Sequence, residues 1–259
     1  MRRRYRLRLG VLAVSAAVPV GLLVAAGASG AKVSSTVALK IRVTGSGRVW
    51  VTGKPAVTCR AASCSHTFHV RRRQRIVVNA SPRTGWKLTK WAGACKGSSE
   101  TCSLRLGARR SAGVAFAPPG DPLNPYPLGT AVTLTGPSGS WQVKINSATS
   151  NTNPPPPAGW QYTIVNLTMT YAGSGSATPA GFLHSPQQMW AEGPSYTIYP
   201  PDGCAPPQPD LDSTVHLSAG ESATGNLCYE IHTGDAGALL LSGHALRGNT
   251  RKTVWFALR

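Results

Sequence analysis

The sequence predicts an all-β protein built from two domains, and three observations support this. Short runs of alternating apolar and polar residues are separated by Gly, Pro, Ser and Asn, which is typical of half-buried strands joined by turns. No segment beyond the leader keeps an apolar period of 3.6 residues, so the mature chain is expected to be nearly free of helix. The composition changes near residue 120, after a strongly basic first half, which predicts a domain boundary there.

The amino-terminal residues predict export. Residues 1–28 combine a basic start, an apolar run over 9–26 and small residues at 26–28, the three parts of a secretory signal peptide. The apolar run has 18 residues, at the short end for crossing a bilayer, so an uncleaved N-terminal anchor stays open as the alternative. In both cases the protein is expected to be secreted or extracytoplasmic, with the anchor alternative holding it at the cell surface.

The first domain is predicted to span residues 32–117. Its first strand is indicated by Val37, Leu39, Ile41 and Val43, which alternate with polar or small residues before a Gly-Ser-Gly turn at 45–47. The same pattern predicts the remaining strands at 48–52, 65–70, 74–80, 86–91, 103–106 and 112–116.

The second domain is predicted to span residues 128–259. Seven to nine short strands separated by regular turns are typical of a β-sandwich. The candidates are 131–134, 141–147, 161–171, 188–191, 196–199, 215–217, 223–231, 238–242 and 254–258. Between the domains, residues 118–127 are rich in proline, which fixes φ and disfavours helix in the preceding residue; they predict a stiff, extended linker.

Six cysteines predict disulfides, because an even number outside the cytosol is typical of an oxidised protein. Their spacing suggests pairing within each domain, as Cys59 with Cys64, Cys95 with Cys102, and Cys204 with Cys228. A zinc site is the alternative, but the spacings of the first two pairs match the usual zinc knuckles poorly. No cofactor is expected.

The first domain resembles the divergent form of the internalin-type B-repeat, also called a bacterial repeat. The resemblance is carried by Gly45-Ser46-Gly47, the cysteine loop, Ala80-Ser81-Pro82, Trp91-Ala92-Gly93-Ala94-Cys95 and Val114-Ala115-Phe116. It implies a small β-repeat domain, β-grasp-like or sandwich, with Trp91 in the core beside the second disulfide. Members of the family are usually tandem, acidic or neutral, and structural.

The second domain resembles the telokin-like, immunoglobulin-like domain of unknown function 4352, found in secreted bacterial proteins. The matching segments are Gly129-Thr-Ala-Val-Thr-Leu134, Ile164-Val-Asn-Leu-Thr-Met-Thr170 and Ala219-Gly-Glu-Ser222. This resemblance implies an immunoglobulin-like β-sandwich. Neither family carries a known catalytic apparatus, so no functional residues are transferred.

The basic charge is confined to the first half and predicts a binding surface for an anionic partner. Residues 32–120 hold seventeen Lys and Arg against one acid, Glu100, whereas residues 121–259 hold five bases and eight acids. Such an excess is larger than solubility requires and attracts polyanions. The candidate anion-binding residues are Lys40, Arg42, Arg71, Arg72, Arg73, Arg75, Lys87, Lys90, Arg105, Arg109 and Arg110. The alternative is a solvated basic turn that serves solubility.

Two tryptophans, Trp50 and Trp86, are candidates for stacking on sugar rings beside these cations, since a Trp side chain can stay partly exposed. The other tryptophans are expected in or beside the core. His66 and His69 lie three positions apart in a strand and should point to opposite faces, which disfavours a metal site. Asp210 and Asp212 would share a face if extended and could help to hold Ca²⁺, with a polar turn as the favoured interpretation. No metal site is predicted.

The sequence holds no motif of a catalytic site, so the protein is predicted not to be an enzyme. An enzyme would need a cleft where residues such as Asp202, Glu221 and His232 converge. The favoured function is binding of an anionic cell-wall polymer or membrane surface by the first domain, and of a protein partner by the second. A structural stalk presenting the second domain, or a small-molecule or metal carrier, are the alternatives. Nucleic acid is not expected as a partner in this compartment.

Overall fold

The computed structural model describes residues 35–60, 62–136, 138–183, 188–201, 203–211, 215–247 and 250–259. Within these ranges the chain is nearly all β, which confirms the predicted fold class. One short helix, α1 (Pro179–Leu183), and one 3-10 turn, Ala236–Ala238, interrupt the strands. The predicted signal peptide lies outside the described residues.

Eight strands form the N-terminal half. They are β1 (Thr36–Thr44), β2 (Gly47–Val51), β3 (Val57–Cys59), β4 (Ser63–Arg71), β5 (Arg75–Pro82), β6 (Lys87–Gly93), β7 (Thr101–Arg105) and β8 (Arg110–Ala117). They pair into two four-stranded sheets, which we call sheet A (order β4-β1-β8-β6) and sheet B (order β3-β2-β5-β7). Only the pairing of β1 with β8 is parallel among these strands. Strand β3 was not predicted, because three residues are too few to show an alternating pattern.

The two sheets pack face to face as a sandwich. In β1 the side chains of Leu39, Ile41 and Val43 are buried, while Lys40 and Arg42 are exposed, as the two-residue period of a strand requires. One core cluster contains inward residues of both sheets, including Leu39 and Phe116 of sheet A and Val49 and Val78 of sheet B. The outer faces of the two sheets therefore point in opposite directions.

The hairpin between β1 and β2 depends on glycine. Gly45 has φ of +84°, and a Cβ at this position would overlap the carbonyl oxygen of Phe116. Trp91 is buried, as predicted, and its indole N–H donates to the Ser99 carbonyl oxygen at 2.7 Å.

Ten strands form the C-terminal half. They are β9 (Ala131–Gly136), β10 (Gly139–Asn151), β11 (Trp160–Tyr171), β12 (Ser176–Ala177), β13 (Ala191–Glu192), β14 (Ile198–Tyr199), β15 (Leu217–Ser218), β16 (Ser222–His232), β17 (Leu240–Arg247) and β18 (Thr250–Ala257). One sheet has the order β16-β11-β10-β9, a second has the order β14-β13-β17-β18, and β12 pairs with β15. Trp141, Tyr229, Phe182 and Phe256 are the largest fully buried side chains of their common core.

The strand predicted at 188–191 is much shorter in the structure. Gln188 and Met189 are buried outside any strand, and Met189 has φ of +54°. Hydrogen bonds from side chains replace the backbone hydrogen bonds of a strand here. The Tyr229 hydroxyl donates to the Met189 carbonyl at 2.7 Å, and the Gln188 amide donates to the Thr135 carbonyl at 3.1 Å. An apolar pattern does not distinguish such a buried irregular segment from a strand.

The prediction of an extended linker at 118–127 is wrong. The segment turns at Asp121–Asn124, and Tyr126 then lies beside β18, donating to the Trp255 carbonyl and accepting from the Ala257 N–H, both at 2.8 Å. The Asn124 side chain donates to the Gly85 carbonyl at 2.9 Å. The division into two domains stays a prediction, because residues 35–259 form one compact unit.

Three disulfides join the predicted pairs, Cys59–Cys64, Cys95–Cys102 and Cys204–Cys228. Disulfides persist in oxidising compartments, so the protein is extracytoplasmic. No helix in the described ranges combines the length and hydropathy needed to cross a bilayer.

Candidate anion-binding surface

The eleven predicted anion-binding residues do not share one face. Seven of them meet at one end of the N-terminal sandwich, where strands that run in opposite directions begin and end. Strands β4 and β7 end there, at Arg71 and Arg105, and strands β5 and β8 begin there, at Arg75 and Arg110. Lys54 follows the end of β2 and lines a cleft together with Arg71 and Arg75. We call this set the basic end. Its members are Lys54, Arg71, Arg72, Arg73, Arg75, Arg105, Arg109 and Arg110.

The turn between β4 and β5 is held in a defined shape. Arg73 has φ of +62°, which a three-residue connection into β5 requires here, and its N–H donates to the Leu106 carbonyl at 2.6 Å. The Arg72 N–H donates to the Ser35 carbonyl at 2.8 Å. The backbone of the turn is thus fixed on one side to β7 and on the other to the start of β1.

Two guanidinium groups also brace the turn. Arg72 Nε donates to the Gly107 carbonyl at 2.9 Å, and Arg105 Nε donates to the Arg73 carbonyl at 2.8 Å. A guanidinium has five N–H donors, so each group can still present its remaining donors to an anion. Glu100 is the single acid between residues 35 and 120, so the charge of the basic end is not neutralised by neighbouring carboxylates.

Like charges meet directly across sheet B. Arg75 and Arg105 are cross-strand partners with exposed side chains on the outer face. Two like charges in this position destabilise a sheet. Together with Arg73 and Ser103 they line a cleft of about 340 Å³. A second cleft of about 450 Å³, lined by Lys54, His69, Arg71 and Gln74 among others, also includes Arg75. An anion seated in either cleft would relieve the repulsion.

The other four predicted cations lie elsewhere, on the outer face of sheet A. Lys40 and Arg42 belong to β1, and Lys87 and Lys90 belong to β6. Small residues of β8 separate them, with Gly113 beside Arg42 and Ala115 beside Lys90. The expectation of one face is wrong because strand alternation gives only the side of a strand, whereas the strand order decides which sheet that side belongs to.

Lys54 was missed for the same reason. It lies in a Gly53-Lys54-Pro55 turn that reads in sequence as an isolated solvated position. Only the pairing of β2 with β5 brings this turn beside the start of β5.

The two tryptophan candidates differ in environment. Trp50 lies between buried Val49 and Val51 and is half-buried, so its ring is on the outer face of sheet B, opposite Asn79. Trp86 packs against the core cluster and covers the Gly45 position of the hairpin. Of the two, only Trp50 is therefore placed on the outer face of sheet B.

The two histidines considered for a metal site, His66 and His69, lie on opposite sides of β4. His66 packs its ring against Phe68 at 4.7 Å between centroids, on the core side of β4, while His69 is on the other side. Asp212 lies outside the described residues. Among those described, no group of three or more His, Cys, Asp and Glu side chains is arranged to hold a metal ion.

Two of the residues considered for a catalytic cleft, Glu221 and His232, do not converge. Glu221 precedes β16 and His232 ends it, so about 35 Å of extended strand separates them. Glu221 accepts from the Ser218 N–H at 2.6 Å, and the His232 ring stacks on Trp160 with centroids 3.8 Å apart. Asp202 lies outside the described residues.

Asp235 has a lowered pKa, and the groups that lower it are contacts that stabilise the fold. Asp235 is buried and accepts hydrogen bonds from the Ser195 hydroxyl, the Ser195 N–H at 3.0 Å and the Tyr199 hydroxyl at 2.7 Å. The hydrogen bonds from Ser195 and then from Tyr199 lower the pKa of Asp235. Burial, followed by the bond to Asp235, raises the pKa of Tyr199. These contacts hold the β13–β14 hairpin, whose tip exposes Tyr196 and Ile198.

The comparisons with known proteins show similarity of structure only. No family model matches the chain, and no curated protein matches it, so the two family resemblances stay predictions. The solved structures that are similar include the secreted protein MPT63 of Mycobacterium tuberculosis, with 20% identity, a TM-score of 0.36, and coverage of 51% of this chain and 97% of that chain. A β-sandwich protein of Clostridium difficile has 9% identity, a TM-score of 0.36, and coverage of 52% and 95%. A conserved protein of Bacillus anthracis has 15% identity, a TM-score of 0.32, and coverage of 50% and 94%. At these scores no property of the three proteins is transferred to this chain.

Proposed function

We propose that this extracytoplasmic protein is a non-catalytic binding protein whose basic end attaches it to an anionic polymer of the cell envelope or to an anionic membrane surface. The observation that carries the proposal is the gathering of Lys54 and seven arginines at one end of a sandwich whose half contains one acid. A protein that needed charge only for solubility would gain nothing from placing Arg75 opposite Arg105.

The chemistry of the basic end suits a repeating anion. Each exposed cation interacts with one phosphate or carboxylate charge only weakly in water, on the order of 1 kcal/mol at 4 Å. Eight cations acting on neighbouring charges of one polymer or one headgroup layer add up, and the attraction is screened as salt rises. A polymer or a surface is therefore favoured over a single small anion at this end.

The course of the chain also supports attachment through the basic end. Ser35 lies at the basic end, where its carbonyl accepts from Arg72. The chain leaves the sandwich at the opposite end, after Ala117 of β8, and continues toward the C-terminal half. A surface bound by the basic end would thus leave the route to the C-terminal half unobstructed.

The C-terminal half has a different candidate surface, which would contact a protein partner. Tyr196 is 83% exposed and Ile198 is 53% exposed at the tip of a hairpin that Asp235 holds from below. Rigid exposed aromatic residues are favoured anchors of protein interfaces. Chemical cross-linking at an introduced Pro194→Cys, which keeps Tyr196 and Ile198 in place, compared with Thr149→Cys on β10, would show whether this tip is the contact.

The attachment is tested by co-sedimentation of the mature protein with purified wall polymer and with vesicles of anionic phospholipid. The variant Arg71→Gln/Arg73→Gln/Arg75→Gln/Arg109→Gln avoids the two guanidinium groups that brace the turn. Its matched control, Lys40→Gln/Arg42→Gln/Lys87→Gln/Lys90→Gln, removes the same charge from sheet A. We expect the first variant to lose about tenfold in affinity at low salt and the control to lose much less.

Three results would count against the proposal. Equal losses in both variants would show that net charge alone drives retention. Absence of retention by the unmodified protein at low ionic strength would reject attachment through the basic end. Unchanged surface association of the first variant would favour the structural stalk.

A further inference from the structure

A separate cationic cleft lies at the other end of sheet B, away from the basic end. It has a volume of about 430 Å³ and is lined by Arg48, Arg60 and Arg83 together with hydroxyl-bearing residues. The cleft is built where β2 begins and where β3 and β5 end. None of the three arginines belongs to the set predicted from the sequence. We call this site the arginine cleft.

The strand register explains why three arginines from distant parts of the chain meet here. Arg48 is paired with Thr58 on one side and with Ser81 on the other, and all three side chains are on the outer face. Arg60 lies two residues after Thr58, and Arg83 two residues after Ser81, so the two-residue period of a strand keeps them on the same side. The Arg83 N–H donates to the Ser46 carbonyl at 3.1 Å, which fixes Arg83 beside the hairpin.

The base of the arginine cleft is rigid. The Ser46 side chain is buried and donates to the Cys59 carbonyl at 3.3 Å. Cys59, next to Arg60, is bonded to Cys64. A Cβ at position 47 would press on the Phe116 ring and the Ser81 carbonyl, so only glycine allows this close approach of the strands. A fixed base holds the three guanidinium-bearing positions without cost at the moment of binding.

The guanidinium groups are available to a ligand. Within the described part of the chain, those of Arg48, Arg60 and Arg83 form neither a hydrogen bond nor an ion pair with another residue. Glu100, whose carbonyl accepts from Ala80, does not line the cleft. Two N–H groups of one guanidinium can bind two oxygens of the same phosphate. The hydroxyls of Thr58, Ser81 and Thr84 can add further donors.

An aromatic ring lies next to the arginine cleft. Trp50 is two residues after Arg48 on the same face of β2, about 7 Å along the strand. Its neighbour Asn79 donates to the Thr52 hydroxyl at 3.3 Å, so polar groups surround the ring. This spacing suits a sugar ring on the indole with a phosphate substituent among the arginines.

We propose that the arginine cleft binds the phosphate group of a phosphorylated sugar, with the sugar ring on Trp50. The site is independent of the basic end, because Arg75 and Arg83 are eight positions apart along and just beyond β5, about 26 Å. Failure of one proposal therefore leaves the other standing.

The test is a titration of the mature, full-length protein with glucose 1-phosphate, glucose and inorganic phosphate, followed through the arginine Nε–H and tryptophan Nε1–H signals in NMR spectra. We expect glucose 1-phosphate to shift the signals of Arg48, Arg83 and Trp50 and to bind on the order of tenfold more weakly to Arg48→Gln and Arg83→Gln. Trp50→Leu should weaken glucose 1-phosphate but not inorganic phosphate. Lys40→Gln, which removes the same charge from the outer face of sheet A, should leave the affinity unchanged.

Each contrary result overturns the proposal. Undiminished binding to Arg48→Gln and Arg83→Gln, with amide spectra that show intact folds, places the ligand elsewhere. An equal loss in Lys40→Gln shows a diffuse charge effect. Equal affinities for inorganic phosphate and glucose 1-phosphate in the unmodified protein remove the role of the sugar and of Trp50.

Discussion

The two halves of this protein differ in how particular polar side chains meet across neighbouring strands. On the β16-β11-β10-β9 sheet, Asn146 donates to Asn166 at 2.9 Å, and Asn166 donates to Asn226 at 2.8 Å. Neighbouring hydroxyls continue the pattern, as in the 2.8 Å bond between Thr168 and Thr224. On sheet B of the N-terminal half, the equivalent cross-strand position pairs Arg75 with Arg105, which repel each other.

This difference supports the proposal that the N-terminal half binds an external ligand. A ladder of amides and hydroxyls completes its hydrogen bonds inside the protein and stabilises the sheet to which it belongs. Cations without carboxylate partners gain nothing from each other, which supports the proposal that an external anion binds them. The difference between the two halves can be tested in three ways: by raising the pH, by removing an amide from the ladder, and by removing a cation from the repelling pair.

The largest expected effect is alkaline unfolding confined to the C-terminal half. Tyr229 is buried and donates to the Met189 carbonyl, and burial raises its pKa well above the ordinary value of 10.0; the pKa of Tyr199 is raised as well. A raised folded pKa means that this stability is fully present below about pH 10 and is lost as the pH rises through the folded values. Residues 35–120 contain no tyrosine.

We expect the side-chain methyl NMR signals of the C-terminal half to collapse first when the protein is titrated from pH 9 toward pH 12 (roughly the range of tyrosine ionisation). Tyr229→Phe should reduce this loss. Simultaneous collapse of both halves, unaffected by Tyr229→Phe, would contradict the assignment.

An intermediate effect is expected from removing the middle of the amide ladder. Asn166→Ala leaves the side-chain amide oxygen of Asn226 without its donor and removes one acceptor of the Asn146 amide. This should lower the free energy of unfolding by about 2 kcal/mol. Urea unfolding provides the measurement. Thr170→Ala, which breaks an exposed 2.7 Å bond to Ser222, is the control and should cost less. Equal costs would mean that the ladder is not a network.

The smallest expected effect has the opposite sign. Arg75→Gln removes the repulsion with Arg105 and should raise the free energy of unfolding by about 0.5 kcal/mol at low salt, with the gain fading as salt increases. Lys40 of β1 lies opposite the uncharged Thr67 of β4, so Lys40→Gln should leave the free energy of unfolding unchanged. A stability loss in Arg75→Gln would show that the arginine has a structural role that the contacts do not reveal.

Local sequence predicted the strands well where burial alternates strictly. Leu39, Ile41 and Val43 indicate β1 without ambiguity, and the cysteine spacing indicates the three disulfides. It failed at 118–127 because proline content describes the backbone of that segment but not its contacts, and Tyr126 found a partner in β18. It failed at Gln188 and Met189 because side-chain hydrogen bonds there replace a strand ladder.

The sequence by itself determined that the protein is all β, that its cysteines pair locally and that its first half carries an unbalanced positive charge. These properties depend on residue type and on near neighbours along the chain. Only the tertiary structure decided where that charge is concentrated, because the order and direction of strands bring Arg71, Arg75 and Arg105 to one end of the sandwich and Arg48, Arg60 and Arg83 to the other. Convergence of residues that are distant in sequence is a property of strand pairing, which a local pattern does not contain.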